Sequence, residues 1–536
     1  MIYSSQKQFV LHHLVIKTVF TLTFLTFFIT QKKVVHAKIF YQEPLDDLVY
    51  NNTSTKNLPT DKRPNILIIF ADDVGTGDVP GYWNTGLVNM PNLEELVANG
   101  ITFTDVHSTP LCAPSRYLLL SGNYPHRGEI DGGTWFINHK GNQFKASQQS
   151  IAQVLKANGY NTGMFGKWHM GGKVPIKSGF TPPSNGAVKQ DTMLSNPNHD
   201  WSKRMRRGPR DMGFKKSYFT LGGIQSCPYS FFRNDKLDTE MDNIKYWNPG
   251  KYNMPKGESF INKKGEGSKD WDSTDYNMKM VHEAKRFIKI HKKKKPNDPF
   301  FAYVALGGVH IPHSPPREYS DGSPIAGVYP TPHMDLLGEM DKVIGSLMTY
   351  LKRKGLLRNT IVIFTSDNGG LGGKKGGSEQ KAGHVSNGPL RGHKGTIYEG
   401  GHHVPMTIRW KDHLPEGQTR SHLIGINDLY STICDLAGVQ VPPGQAQDSV
   451  SFAEYIFDES NVNGLREYLG TWRHNSKTGL LSHALRKNKW KLIHFPQRDE
   501  FELYDLENDK SESKNLASSN SQLVQQMYQY LKSIGP

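Results

Sequence analysis

The stretch Asn65-Ile66-Leu67-Ile68-Ile69-Phe70 runs apolar and then meets two carboxylates, Asp72-Asp73. A short, unbroken apolar run reads as a buried strand, and the carboxylates put charge at its end. The same pattern returns along the chain. Tyr160 to Phe165 leads into Gly166-Lys167-Trp168-His169, Phe300 to Leu306 into Gly307-Gly308-Val309-His310, and Thr360 to Thr365 into Ser366-Asp367-Asn368-Gly369-Gly370. Helical patterns separate these runs: one starts at Pro91 and stops at Gly100, one covers Gln148 to Gly159, and one covers His333 to Lys354 and stops at Gly355. The alternation predicts an α/β fold with a large central, mostly parallel sheet flanked by helices. In open α/β sheets the ligand lies beyond the carboxyl ends of the strands, so the polar tails are expected to converge on one site.

The chain has 536 residues, more than one ordinary domain. We divide it into an N-terminal targeting segment (1–37), a polar linker (38–62), a main domain (63–440) with a polar and aromatic insertion at about 187–300, and a C-terminal subdomain (441–536). In the subdomain, Ala484 to His494 and Glu500 to Leu506 alternate in part and read as antiparallel strands, and Ser521 to Ile534 reads as a closing helix. This predicts a small α+β unit. At the other end, Lys7 and Lys17 precede the apolar run Val19 to Thr30, and Val35-His36-Ala37 offers small residues for cleavage. The run is short of the roughly 20 residues of a membrane span. The expectation is an exported protein, periplasmic or secreted, touching a membrane only if this segment stays uncleaved.

The formal net charge is +15; residues 1–37 hold four lysines and no acids, leaving +11 for the rest. Such a balance suits a polyanionic partner: nucleic acid, anionic lipid or a sulfated polysaccharide. The run Lys292 to Lys295 reads as a solvated helix end or loop. Only three cysteines occur, Cys112, Cys227 and Cys434, which excludes a disulfide scaffold. Cys227 and Cys434 either pair or stay as buried thiols.

Asp72, Asp73, Asp367 and Asn368 offer oxygen ligands alone, which favours a hard cation, Ca²⁺ or Mg²⁺, over zinc. Cys112 precedes Pro114, a first-turn residue for a helix over Ser115 to Ser121, and a helix N-terminus favours anions. Arg116 adds a bidentate cation. Lys167, His169, His310 and Lys394 sit in glycine-flanked turns. Cations and imidazoles around a hard metal suit hydrolysis of an anionic ester. A zinc protease is not supported, since no His-Glu-x-x-His occurs, and Gly372 to Gly377 lacks the ending of a P-loop.

Cys112-x-Pro114-Ser115-Arg116 followed by Leu120-Ser121-Gly122 resembles the signature of type I sulfatases, the formylglycine-dependent branch of the alkaline phosphatase superfamily. Asp72-Asp73, Gly166-Lys167-Trp168-His169, His310-x-Pro312-His313, Ser366-Asp367-Asn368-Gly369 and Gly392-His393-Lys394-Gly395-Thr396 are similar to further motifs of that family, in the family's order. The likeness spans roughly residues 63–516.

The resemblance implies a sulfuric ester hydrolase of alkaline phosphatase-like fold, with 63–440 as its catalytic domain. Cys112 would be oxidised to formylglycine by a maturation enzyme and hydrated to a diol, one hydroxyl of which attacks sulfur. Asp72, Asp73, Asp367 and Asn368, with the modified Cys112, would hold Ca²⁺ in preference to Mg²⁺. Arg116 would orient the diol. Lys167, His310, His313 and Lys394 would bind substrate, with His310 or Lys394 protonating the leaving alcohol. His169 would deprotonate the second hydroxyl to expel sulfate. The expected substrate is a sulfated carbohydrate or polysaccharide, with no organic cofactor and no nucleic acid involved. A phosphonate monoester or phosphodiester hydrolase of the same superfamily is the alternative. The segment Val74 to Tyr82 departs from the commoner family wording, and neither the insertion nor Gly372 to Asn387 carries an assignable motif.

Overall fold

The computed structural model describes residues 62–536 except 84, 131–140, 180–198, 373–376 and 476–478. The targeting segment, and the linker up to residue 61, lie outside the described residues.

The apolar run at Asn65 forms β1 (Asn65–Ala71), buried throughout. The main sheet takes in, along the chain, β1, β2 (Ile101–Phe103), β3 (Asn161–Lys167), β4 (Lys216–Thr220), β5 (Phe300–Ala305), β6 (Thr360–Ser366), β7 (Met406–Arg409) and β8 (Gln418–Arg420). Across the sheet the order is β8-β2-β7-β6-β1-β5-β3-β4, continued by short strands at Phe232–Arg233 and Lys236–Leu237. The central neighbours β6, β1, β5, β3 and β4 run parallel, with Ile68 opposite both Tyr303 and Ile363. β7 runs against β6.

A parallel sheet needs cover on both faces. The helices supply it: α1 (Pro91–Ala98), α2 (Cys112–Ser121), α3 (Ile151–Ala157), α4 (Tyr276–Lys294), α5 (Pro332–Arg353) and α6 (Asp428–Leu436). α3 and α4 both pack on β3, from opposite sides. α3 is grouped with α2 and α6, whereas α4 is grouped with α5 and, through it, α1. This is the predicted α/β architecture.

The helix read from Gln148 starts only at Ile151. Ser150 Oγ accepts the Gln153 backbone N–H at 3.1 Å while Gln153 Oε1 accepts that of Ser150 at 2.8 Å, a reciprocal cap that fixes the first turn. The helix read from Ser115 starts earlier, at Cys112. Proline lacks an N–H that first-turn residues do not use, so Pro114 leaves the helix free to begin before it. Within 187–300, β4 and α4 belong to the main sheet and its helical cover, whereas the ribbons pairing Gly250–Met254 with Gly257–Ile261 and Ile244–Trp247 with Gly265–Ser268 stand outside it.

After residue 440 come β9 (Tyr468–Asn475), β10 (Gly479–Lys487), β11 (Trp490–Phe495) and β12 (Glu500–Asp505), an antiparallel sheet in chain order, and then α7 (Ser521–Ile534). Leu485, Leu492, Leu503 and Leu531 share one continuous apolar core with β1. Cys227 and Cys434 are both buried and are not joined to each other. Among the described residues no helix is long and apolar enough to cross a membrane.

Candidate active site

Four adjacent parallel strands deliver the polar tails to one place. β1 runs into Asp72 and Asp73, β3 into Lys167 and His169, β5 into the loop of His310, and β6 into Asp367 and Asn368. Backbone bonds past the strand ends hold the tails in step: Val309 N–H donates to the Asp72 carbonyl at 3.0 Å and Asp367 N–H to that of Ala71 at 3.2 Å. Gly166, just before Lys167, has φ of 118°, and a Cβ there would lie 1.7 Å from the Ala305 carbonyl oxygen. Only glycine lets β3 approach β5 this closely. Asp73 (φ 66°) and His169 (φ 54°) take left-handed backbone despite their side chains, a strain that gathers at functional sites.

Cys112 is the first residue of α2 and is 4 % exposed. Ser115 fixes the turn before it: its hydroxyl accepts the Thr109 N–H at 3.0 Å and donates to the Leu111 carbonyl. The Cys112 Sγ lies 3.2 Å from His169 Nδ1. Arg116, fully buried, donates to Asp367 Oδ2 at 2.6 Å and to the Lys167 carbonyl at 3.1 Å, and stands 3.6 Å from Asp72 Oδ1. Lys167 Nζ donates to Asp72 Oδ2 at 2.7 Å. Lys394 arrives from a loop anchored by its N–H on the Gly370 carbonyl, and its ammonium donates to Asp73 Oδ1. Asn368 Nδ2 donates to the same oxygen at 2.9 Å, and His310 Nε2 stands 3.7 Å from Asp73 Oδ2. The structure therefore brings together Cys112, Arg116, Lys167, His169, His310, Lys394, Asp72, Asp73, Asp367 and Asn368.

Burial by itself would raise the Asp72 carboxyl, but Lys167, His310 and Arg116 overcome it and hold it well below the usual range. Burial and the neighbouring Asp72 push Asp367 up to about 7 despite Arg116. Burial, then Lys167 and Arg116, hold His169 well below its ordinary value, so its imidazole is neutral. Burial and Lys394 bring His310 down to about 3. Against burial, Asp73 raises Lys394, which is an ammonium. The Cys112 thiol is raised by burial.

Asp72 Oδ1, Asp73 Oδ2 and Asn368 Oδ1 are buried and accept no hydrogen bond among the described residues. Buried acceptors of this kind are costly unless something binds them. The ligand atoms of Asp72, Cys112 and Asp367 lie within 4.8 Å of one another, as do those of Asp72, Asp73 and His310. An oxygen-rich set with orphaned acceptors and a raised carboxyl fits a divalent cation.

His313 joins a second histidine group. Its ring is 5.2 Å from that of His333, which is 5.9 Å from that of His384, whose Nε2 bonds Asp78 at 2.6 Å. Asp78, His333 and His384 were not singled out in the sequence; Asp78 falls in the segment that departs from the family wording. Two supports were also missed. Asn277 Oδ1 accepts the N–H groups of Gly307 and Gly308 at 3.0 and 3.3 Å, and Asn277 in turn donates to Glu339 at 3.1 Å. Glu399, in the turn after Lys394, is held by Lys491 at 2.9 Å and Arg486 at 3.1 Å from the C-terminal sheet.

Residues 64–439 match the sulfatase family. The chain belongs to the sulfatase family. It is a sulfuric ester hydrolase. Residues 393–534 match the family described as N-sulphoglucosamine sulphohydrolase, C-terminal, which covers the C-terminal sheet and α7. This sulfatase is 27 % identical to an N-acetylgalactosamine-6-O-sulfatase of Bacteroides thetaiotaomicron, over 88 % of this chain and 93 % of that one. It is 31 % identical to arylsulfatase A of Homo sapiens, over 71 % of this chain and 65 % of the human protein. Among solved structures, a protein connected with the metabolism of multiple glycosaminoglycans by Bacteroides thetaiotaomicron superposes with a TM-score of 0.71 at 25 % identity, covering 88 % of this chain and 99 % of that one. A second, Ps i-CgsB in complex with k-i-k-neocarrahexaose, gives 0.63 at 25 % identity, covering 88 % and 92 %.

Proposed function

We propose that this sulfatase removes sulfate from a sulfated carbohydrate, using a formylglycine made from Cys112 beside a bound Ca²⁺. The observation that carries the reading is Cys112 at the start of α2, facing His169 Nδ1 at 3.2 Å and ringed by Arg116, Lys167 and Lys394. A hydrated aldehyde at Cys112 presents two hydroxyls. One of them, ionised with its proton given up to solvent, bonds sulfur through its oxygen as the bond from sulfur to the alcohol oxygen breaks. The alcohol leaves with a proton, and in the free site Lys394 carries one whereas His310 does not. His169, neutral and in contact with Cys112, takes the proton of the second hydroxyl; the carbon–oxygen bond to sulfate then breaks and the aldehyde is restored. Arg116 pairs with Asp367 and stands beside Asp72, and from there it would orient the diol. Asp72, Asp73, Asp367 and Asn368 would hold the cation, which supplies positive charge for the sulfate oxygens and for an ionised hydroxyl.

The carbohydrate reading is supported by the likeness to an N-acetylgalactosamine-6-O-sulfatase and to a protein bound to neocarrahexaose. The N-terminal segment supports export, to the periplasm or outside, with a maturation enzyme as an obligate partner. The test is release of free sulfate from a panel of sulfated mono- and oligosaccharides, after co-expression with such an enzyme. Turnover that disappears in Cys112→Ala is expected; a variant as active as wild type would refute the reading. Faster cleavage of an aryl phosphate diester than of an aryl sulfate would favour the phosphodiester alternative.

A further inference from the structure

At the catalytic end Arg116, Lys167 and Lys394 each face a carboxylate. A separate concentration of positive charge lies at the opposite pole of the sheet, where α4 runs into β5 and α5 into β6. The end of α4 continues as Lys292 to Lys295 and that of α5 as Lys352 to Lys354, all exposed. The two helix ends touch, because the Lys292 ammonium donates to the Lys354 carbonyl. Nearby acids neutralise only the margins: Asp298 pairs with Lys295 at 2.6 Å and Asp412 with Arg358 at 3.2 Å. Among the described residues Lys292, Lys293, Lys294, Lys352, Arg353 and Lys354 form no ion pair with a carboxylate.

Helix C-termini offset part of this repulsion, but a concentration of like charge on one rigid face raises the local potential and draws in polyanions. Strands advance about 3.3 Å per residue, so the seven residues of β1 and of β6 set this pole roughly 20 Å from the catalytic centre. That exceeds the screening length of about 8 Å at physiological salt. The patch therefore cannot hold the sulfate being cleaved. Its ligand has to be multiply charged along its own length.

We infer that this pole is a second, non-catalytic binding surface for a sulfated polysaccharide chain. Naming the ligand rests on the carbohydrate reading above. Hydrated ammonium groups on flexible stems recognise charge density and not one sugar. Ile290, 43 % exposed, is the one exposed large apolar side chain of α4, too little to insert into a bilayer, which favours a polymer over an anionic membrane.

The test compares wild type with a variant carrying Lys292→Glu, Lys293→Glu, Lys294→Glu and Arg353→Glu, by affinity electrophoresis through gels holding dextran sulfate or uncharged dextran. Wild type is expected to be retarded by dextran sulfate only, and less so as salt rises. The variant is expected to lose affinity on the order of tenfold, with its kcat/KM on a monosaccharide sulfate unchanged. Equal retardation of variant and wild type would overturn the inference. So would tighter wild-type binding to phosphatidylglycerol vesicles, or to single-stranded DNA, than to dextran sulfate. If no sulfate ester is turned over while retardation still depends on these residues, the functional reading falls and the polyanion surface stands.

Discussion

His169 presents Nδ1 to the Cys112 sulfur at 3.2 Å from a left-handed backbone, φ 54°. The imidazole is neutral because burial and the cations Lys167 and Arg116 resist a further charge. A neutral ring in that position accepts a proton from a group borne on residue 112. With matured enzyme, His169→Ala is expected to release about one equivalent of alcohol per active site and then slow by about 10²- to 10⁴-fold. Mass analysis of the peptide containing residue 112 is expected to find a retained sulfo group. Steady turnover with no such adduct would exclude this role.

The orphaned oxygens of Asp72, Asp73 and Asn368 make a prediction about stability. A cation bound by the folded state alone, at 100 times its Kd, adds about 2.7 kcal/mol. Adding Ca²⁺ to chelator-treated protein is therefore expected to raise the melting temperature, and more than Mg²⁺ does. Asp73→Asn is expected to weaken that response. A melting temperature indifferent to both ions would show that the pocket holds neither.

Glu339 is buried beneath the loop that carries His310, and burial pushes its carboxyl up to about 8 from 4.5. The folded state thus holds a proton that the unfolded chain gives up. The stability tied to this group is complete below about 4.5 and is lost as pH climbs toward 8. Glu339→Gln keeps an acceptor for Asn277 and has no proton to lose. It is expected to match wild type near pH 5 and to melt at higher temperature near pH 8; parallel melting curves across that range would refute the shift.

Lys491 is fully buried between Glu399 and Glu512, 2.9 Å from each. Lys491→Met would leave two acidic groups facing each other without their cation. Removing one partner of a buried ion pair costs about 3–5 kcal/mol, so a large fall in denaturation midpoint is expected. The Glu399 turn follows the Lys394 loop, and sulfate release is expected to fall with it. An unchanged midpoint would mean that Arg486 alone neutralises the turn.

The sequence made the strand-end residues legible because an apolar run and its polar tail are contiguous: one stretch names both the element and what it delivers. Asp72, Lys167 and Asp367 could be placed at one sheet edge from that pattern. Lys394 could not, since no apolar run precedes it and only the family motif pointed to it. The supports were invisible for another reason. Asn277 and Glu339, or Glu399 and Lys491, sit far apart in the chain, and each alone is an ordinary polar residue of a helix or strand. His333 and His384 were invisible in the same way: they meet His313 and Asp78 in space, from stretches of the chain that share no motif with them.

Cys112 ends up enclosed by residues that follow it along the chain, from Lys167 and His169 to Asp367 and Lys394, with 4 % of its surface left open. During synthesis the thiol emerges well before most of the wall around it. Its exposure is thus a property of the nascent chain, and any enzyme that must grasp this side chain competes with folding for it. On the proposal that activity needs Cys112 converted by such an enzyme, production conditions that delay folding, or raise the supply of that enzyme early, would set how much of the final protein is active, independently of the total amount made.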